Sequence, residues 1–165
     1  MNILIPGGAG YIGSHAVRQL LEEGYEVTVI DNLQTGHLKS LHPDAMFFSG
    51  DLRNRDFLRR VFSEVEVDGV LHFAANSLVG ESMEQPLVYF DNNVYGTQVL
   101  LEIMEEYKVK HIVFSSTAAI YGEQSRMPIT EDRVANPSNA YGDTKLVMEK
   151  MMRWCEAAYG LRYVA

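Results

Sequence analysis

The feature that most constrains this chain is Gly7-Gly8-Ala9-Gly10-Tyr11-Ile12-Gly13, near its N-terminus. A short apolar run, Ile3-Leu4-Ile5, precedes it and reads as a buried parallel strand. After it, Ile12, Ala16 and Leu20, with Val17 and Leu21, recur at helical spacing. The glycines therefore sit on a strand-to-helix turn. Gly7 is expected to take the tight turn, because it has no Cβ to clash. Gly10 lets a ligand's phosphates approach the backbone, and Gly13 lets the helix pack closely on the strand. The first turn of such a helix has unpaired N–H groups at the positive end of a dipole, which suits a pyrophosphate.

Three glycines at this spacing also occur in turns that bind nothing, so the flanking residues decide. Glu26-Val27-Thr28-Val29-Ile30 reads as a second strand, and Asp31 ends it. Asp31 lies 18 residues past Gly13, close to the ~20 expected for an acid that hydrogen-bonds a ribose hydroxyl. No Arg follows it directly, and a carboxylate there repels a 2′-phosphate. The spacing points to NAD rather than NADP.

A length of 165 residues fits one domain, and 47% apolar residues supply a sizeable core. The net charge of −8 and the lack of a basic patch argue against a nucleic-acid partner. Cys155 is the only cysteine, so no internal disulfide is expected and a reducing compartment fits. The N-terminal apolar run is too short for a signal or a membrane span, so the cytoplasm is the expected location. His15, His37, His42, His72 and His111 show no i, i+3 or i, i+4 pair and no Cys partner, so no metal centre is expected. No Gly-Lys-Ser/Thr follows the glycines, which excludes a P-loop kinase.

Further along, apolar runs of strand length alternate with helical patterns. Asn32 to Asp44 is a polar loop. Ala45 to Ser49 reads as a third strand leading to Gly50-Asp51-Leu52, and Arg53 to Glu64 as a helix. Gly69 to Ala75 reads as a fourth strand, followed by a loop with Asn76, Ser77, Gly80 and Ser82. Pro86 opens one long helix through to Glu106, whose stripe of Val88, Val99, Leu100, Ile103 and Met104 is expected in the core. His111 to Ser116 is the fifth strand. A loop with Pro128 and Pro137 leads to a helix from Ala140 to Tyr159, closed by Gly160, and Leu161 to Ala165 begins a sixth strand. The fold class expected is α/β, a doubly wound parallel sheet of Rossmann type with strand order 3-2-1-4-5-6. Ligands in such sheets bind at the C-terminal strand ends, between strands 1 and 4. Asp31, Asp51-Leu52, Phe73-Ala74-Ala75 and Ser115-Ser116-Thr117 all fall at that edge, with Asp51 on the adenine side of a dinucleotide.

Tyr141 and Lys145 stand i, i+4 on the last helix, hence on one face. A phenol titrating near pH ~10 is a weak base at neutral pH, but a nearby ammonium favours the phenolate. Lys145 also has the reach to bond a nicotinamide ribose. Thr117 offers a hydroxyl to orient a substrate hydroxyl. Together these groups are what removal of a proton from an alcohol requires while NAD takes the hydride.

These residues resemble the extended short-chain dehydrogenases/reductases, the NAD-dependent epimerase/dehydratase family, and within it the enzymes that interconvert UDP-glucose and UDP-galactose. The matching segments are Gly7 to His15, Asp31-Asn32-Leu33, Gly50-Asp51-Leu52-Arg53, His72-Phe73-Ala74-Ala75, Val79-Gly80-Glu81-Ser82, Asn92-Asn93-Val94, Ser115 to Gly122 and Tyr141-Gly142-Asp143-Thr144-Lys145. The resemblance implies tightly held NAD and a UDP-sugar substrate. It implies that Tyr141 takes the proton of the sugar 4-hydroxyl, with Thr117 as its hydroxyl partner and Lys145 on the ribose. The 4-keto sugar then turns over and is reduced on its other face. By the same resemblance Tyr11, Ile12, Asp31, Asn32, Leu33, Asp51, Leu52, Phe73, Ala74, Ala75 and Asn92 contact NAD, beside Gly7, Gly10 and Gly13. It also supports a homodimer in which the long helix and the last helix of each copy form a four-helix bundle.

Two departures stand out. Pro6 replaces the usual Thr and removes a backbone donor, so the turn is expected to be looser there. The family also continues well past Ala165, through a segment that supplies most of the sugar-nucleotide pocket. The chain therefore reads as an NAD-binding domain over 1–165 that lacks the substrate domain and is incomplete for turnover. Other readings are a non-catalytic NAD-binding module and an epimerase for a different nucleotide sugar. A 4,6-dehydratase is disfavoured, because its relatives carry Asp-Glu after the Thr where this chain has Ala118 and Ala119.

Overall fold

The computed structural model describes residues Met1–Ala165. Its centre is a six-stranded parallel sheet of β1 (Asn2–Pro6), β2 (Glu26–Asp31), β3 (Met46–Ser49), β4 (Gly69–His72), β5 (His111–Phe114) and β6 (Arg162–Val164). The order is β3-β2-β1-β4-β5-β6, the doubly wound order expected. In register, Ile3 faces Val27 on one side and Gly69 on the other, Val70 faces Ile112, and His111 faces Arg162. The order reverses between β1 and β4, which opens a crevice at their C-terminal ends.

The helices are α1 (Tyr11–Glu22), α2 (Arg55–Glu64), α3 (Val79–Glu84), α4 (Pro86–Tyr89), α5 (Gly96–Glu106) and α6 (Ala140–Tyr159). Successive residues of a strand point to opposite faces, so the sheet feeds two cores. Leu4, Ile30, Val70, Ile112 and Phe114 pack with Leu58 and Val61 of α2, Val99 to Met104 of α5, and Met148 and Met152 of α6. On the other face Ile5, Val27 and Val29 pack with Val17 of α1. That second layer covers the β1–β2 half, while Val113 of β5 stays 48% exposed on the same face. No helix is long and apolar enough to cross a membrane.

Several expectations need correction. The long helix is not uniform. Between α4 and α5 the chain winds as a π-helix over Phe90–Tyr95, without a break on either side. The loop expected around Gly80 and Ser82 contains α3, and Val88 is 47% exposed rather than in the core. Arg53 precedes α2 rather than opening it, because Asn54 is the N-cap and accepts from Phe57 N–H. Strands β4 and β5 stop at His72 and Phe114, so Phe73 to Ala75 and Ser115 to Thr117 are exit loops. Pro6 does not loosen the turn. It pairs with Ile30 at the end of β1, and its carbonyl accepts from Phe73 N–H at 2.9 Å.

Candidate functional site

A cavity of about 320 Å³ opens at the C-terminal ends of the central strands. Its first wall is the glycine turn. Gly7 has φ +82°, a conformation that side chains resist, and its N–H donates to Ile30 O at 2.8 Å. A Cβ on Gly13 would lie 2.2 Å from Gly7 O, so only glycine lets α1 start this close to the turn. Gly10 caps α1 without a side chain, and the first backbone bond of the helix runs from Ser14 N–H to Gly10 O. The N–H groups of Tyr11, Ile12 and Gly13 are left without an intrahelical acceptor, and all three residues line the cavity. Donors concentrated at a helix start fit a diphosphate.

Asp31 also lines the cavity, but its carboxylate is already at work. It accepts from Ala9 N–H at 3.1 Å and from Leu33 N–H at 2.8 Å, at 9% exposure. It braces the glycine turn as well as facing the cavity. Leu33, at φ +58°, bonds through its backbone and does not line the cavity. Asn32, Asp51 and Leu52 form the adjoining wall, and Phe73, Ala74, Ala75 and Asn92 form the opposite one. The Arg53 guanidinium beside Asp51 holds that carboxyl well below its ordinary value, at about 2.

The far end is made by α6. Asn139 caps the helix through Gly142 N–H at 2.8 Å, and the Ser82 hydroxyl accepts from Tyr141 N–H at 3.1 Å. Two of the helix's orphan donors are thus satisfied, which fixes where Tyr141 emerges. Tyr141 and Lys145 both line the cavity. The Lys145 ammonium donates to Ser115 O at 2.8 Å and sits 5.9 Å from the centre of the Tyr141 ring. Burial lowers its pKa to about 8, since no carboxylate offsets the desolvation. Under it His72, 1% exposed, meets Thr97 Oγ1 at 2.9 Å through Nε2, while Nδ1 has no partner. Burial, helped by the Lys145 charge, pushes His72 down to about 3 and keeps it neutral.

Asn93, in the π-helical segment, ties these parts together. Its Oδ1 accepts from Asn76 N–H at 2.8 Å and from Asn92 at 3.0 Å. Its amide nitrogen donates to Asn76 O at 3.0 Å and to Thr144 Oγ1 at 3.1 Å. The Thr144 hydroxyl in turn donates to Tyr141 O at 2.7 Å. At 1% exposure every polar group of Asn93 is satisfied, the condition under which a buried network rigidifies its surroundings.

Thr117 is the one candidate catalytic residue that does not line the cavity. It caps a short 3₁₀ turn, Ala118–Tyr121, and accepts from Ala119 N–H at 3.2 Å. The lining also includes Ser115, expected at that edge, and Gln34, Thr35, Asn76 and Ser77, to which the sequence assigned no role. Ser82, Asn93 and His72 were missed as supports. A signal existed for Asn93: it shares a helical stripe with Thr97, Leu100 and Met104, where a polar residue must find partners.

Residues 4–165 match the family described as GDP-mannose 4,6 dehydratase. The chain is 55% identical over 165 residues to the UDP-glucose 4-epimerase of Lacticaseibacillus casei, covering 100% of this chain and 50% of that protein. The structure superposes on the UDP-glucose 4-epimerase from Brucella ovis in complex with NAD with a TM-score of 0.96 at 44% identity, over 99% of this chain and 50% of that one. It is similar also to the Thermotoga maritima UDP-glucose 4-epimerase with UDP-glucose, TM-score 0.95 at 39% identity, over 99% and 53%. The chain thus spans about half the length of these relatives.

Proposed function

Since the chain belongs to the GDP-mannose 4,6 dehydratase family, we propose that its cavity holds NAD and serves the interconversion of UDP-glucose and UDP-galactose at C4. The observation that carries this is a shared location. The free N–H groups of the glycine turn line the same cavity as Tyr141 and Lys145. The close packing of Gly13 on Gly7 O brings the start of α1 up to the turn, which supports a diphosphate site there. Bound NAD supplies a reversible hydride acceptor.

In this reading Tyr11, Ile12 and Gly13 bind the diphosphate through their backbone. Asp31 faces the adenosine ribose, and Asp51, at the end of β3, faces the adenine. The Tyr141 phenol takes the proton of the sugar 4-hydroxyl, and Lys145 orients the nicotinamide ribose. Burial lowers Lys145 to about 8, which still leaves it protonated at neutral pH, and that charge beside the phenol favours the phenolate. The Thr117 hydroxyl accepts one backbone N–H and keeps its own proton to offer the substrate. Elimination of water needs an acid and a base, and Ala118 and Ala119, which follow Thr117, have no proton to exchange. Chemistry therefore favours epimerisation over dehydration. A cytoplasmic homodimer completes the proposal, with the exposed Leu87, Val88 and Trp154 of α4 and α6 supporting a helical interface.

The test is titration of the 165-residue chain with NAD, followed by addition of UDP-galactose while absorbance of reduced cofactor is recorded. Saturable NAD binding is expected, and, because the chain spans about half the length of its relatives, reduction on adding the sugar nucleotide is expected as a slow single event and not as sustained epimerisation. Binding without reduction assigns the chain to a non-catalytic NAD module, and no binding overturns the proposal.

A further inference from the structure

Arg53 lies just behind the cavity lining and bridges acidic groups on two elements beside it. Its backbone N–H and its Nε both donate to Asp51 Oδ1 at 2.9 Å, and one terminal nitrogen donates to Asp51 Oδ2 at 2.6 Å. The other terminal nitrogen pairs with Asp91 in the π-helical segment. Asp51 belongs to the wall after β3, while Asp91 is followed directly by Asn92 of the facing wall. One planar guanidinium thus spans the gap between them.

The carboxylate of Asp51 has about four acceptor directions. Arg53 occupies three of them. The fourth takes Asn32 Nδ2 at 3.4 Å, a long contact at an exposed position that a better donor displaces readily. Asn32 and Asp51 both line the cavity, so this is the direction open to a ligand. An ionised carboxylate with one fixed free direction accepts the 6-amino group of an amino-purine and repels a 6-carbonyl oxygen, and the N1–H of an oxo-purine lies one ring position away from that direction.

Building on the NAD reading above, we infer that Arg53 is a positioning and specificity residue for the base of the dinucleotide: it fixes the free acceptor of Asp51 so that an amino-purine is preferred over an oxo-purine. The fork geometry matters as much as the charge. A lysine ammonium cannot donate in parallel to both oxygens of Asp51 while reaching Asp91. Asp51 is ionised at neutral pH with or without Arg53, so the role of the guanidinium is geometric: it fills three acceptor directions and fixes the fourth.

The experiment compares two probes by calorimetry on the 165-residue chain: NAD, and nicotinamide hypoxanthine dinucleotide, in which a carbonyl replaces the adenine amino group. The wild type is expected to prefer NAD by about tenfold, the scale of one mismatched polar contact. Arg53→Met keeps the stem and is expected to bring the ratio within about twofold, with Arg53→Lys falling between. A purely structural role would weaken both probes in parallel and leave the ratio unchanged. A wild-type ratio near one, or a ratio that survives in Arg53→Met, overturns the inference while leaving NAD binding intact. If the wild type binds neither dinucleotide, the inference falls together with the functional proposal.

Discussion

The two ends of the cavity are built from different materials. At the glycine turn the functional groups are backbone N–H groups, placed by three glycines and a helix start within Gly7 to Gly13. At the α6 end they are side chains, placed by hydrogen bonds to groups far away in sequence. Tyr141 N–H meets Ser82 across 59 positions, and Asn93 meets Thr144 across 51. The first end is a local structure that tolerates little change in shape. The second is a tertiary assembly that loses precision by degrees.

The contrast is broken most severely by removing chemistry while keeping shape. Tyr141→Phe deletes the phenol oxygen, which neither neighbour holds: Ser82 accepts from the Tyr141 backbone N–H, and Lys145 donates to Ser115 O. Cofactor reduction by UDP-galactose in a single turnover is expected to slow by ~100-fold to ~10,000-fold, with NAD affinity unchanged. Equal losses in binding and rate would place Tyr141 in the scaffold instead.

Gly13→Ala tests the rigid end. Its new Cβ meets Gly7 O, a backbone atom that cannot swing aside, whereas a Cβ on Gly10 lies 3.3 Å from the same oxygen. Gly13→Ala is expected to lose about 2–4 kcal/mol in urea unfolding and Gly10→Ala under ~1 kcal/mol. Similar losses for the two would show that the turn can relax. At the assembled end, Asn93→Leu strands the N–H and C=O of Asn76, and about 2–3 kcal/mol of stability is expected to go. The sharper reading is Thr144→Val, which removes the bonds to Asn93 and to Tyr141 O and is expected to cost about 1–2 kcal/mol. A larger loss there than for Asn93→Leu would put the hub elsewhere.

The last test is a pH dependence. His72 is held neutral in the fold, at about 3 against an ordinary 6.5. Below that ordinary value the unfolded chain binds a proton that the folded chain refuses. His72 thus leaves stability untouched above ~6.5 and erodes it as pH falls from there towards ~3. His72→Gln is expected to flatten that acid-side decline when urea midpoints at about pH 7 and about pH 4.5 are compared. An unchanged slope would mean that another group titrates there.

The same contrast explains what could be read from the sequence. The strand order was legible from the alternation of strands and helices with right-handed crossovers, and the glycine turn and the place of Asp31 at the end of β2 from spacing inside one βαβ unit. Helix α6 was legible to its last residue, because Asn139 and the left-handed Gly160 mark its ends locally. The π-helical segment was not, since its sequence keeps an ordinary helical stripe and its winding answers to Asn76 and Thr144. Helix α3 was hidden for a similar reason: six residues without apolar periodicity, held by Ser82 at α6 and by the buried Tyr89 hydroxyl at Leu78 and Glu81. Thr117 was placed at the site by its position after β5, yet the backbone turns there and gives its oxygen to Ala119. Arg53 read as helical because charge pattern alone does not reveal two acidic partners on different elements.

The most direct measurement is a crystal structure of the chain with NAD. The account predicts the diphosphate on the N–H groups of Tyr11, Ile12 and Gly13, and the nicotinamide beside the Tyr141 phenol with Lys145 on its ribose. A dinucleotide bound elsewhere, or one whose nicotinamide end lies out of reach of Tyr141, would contradict it.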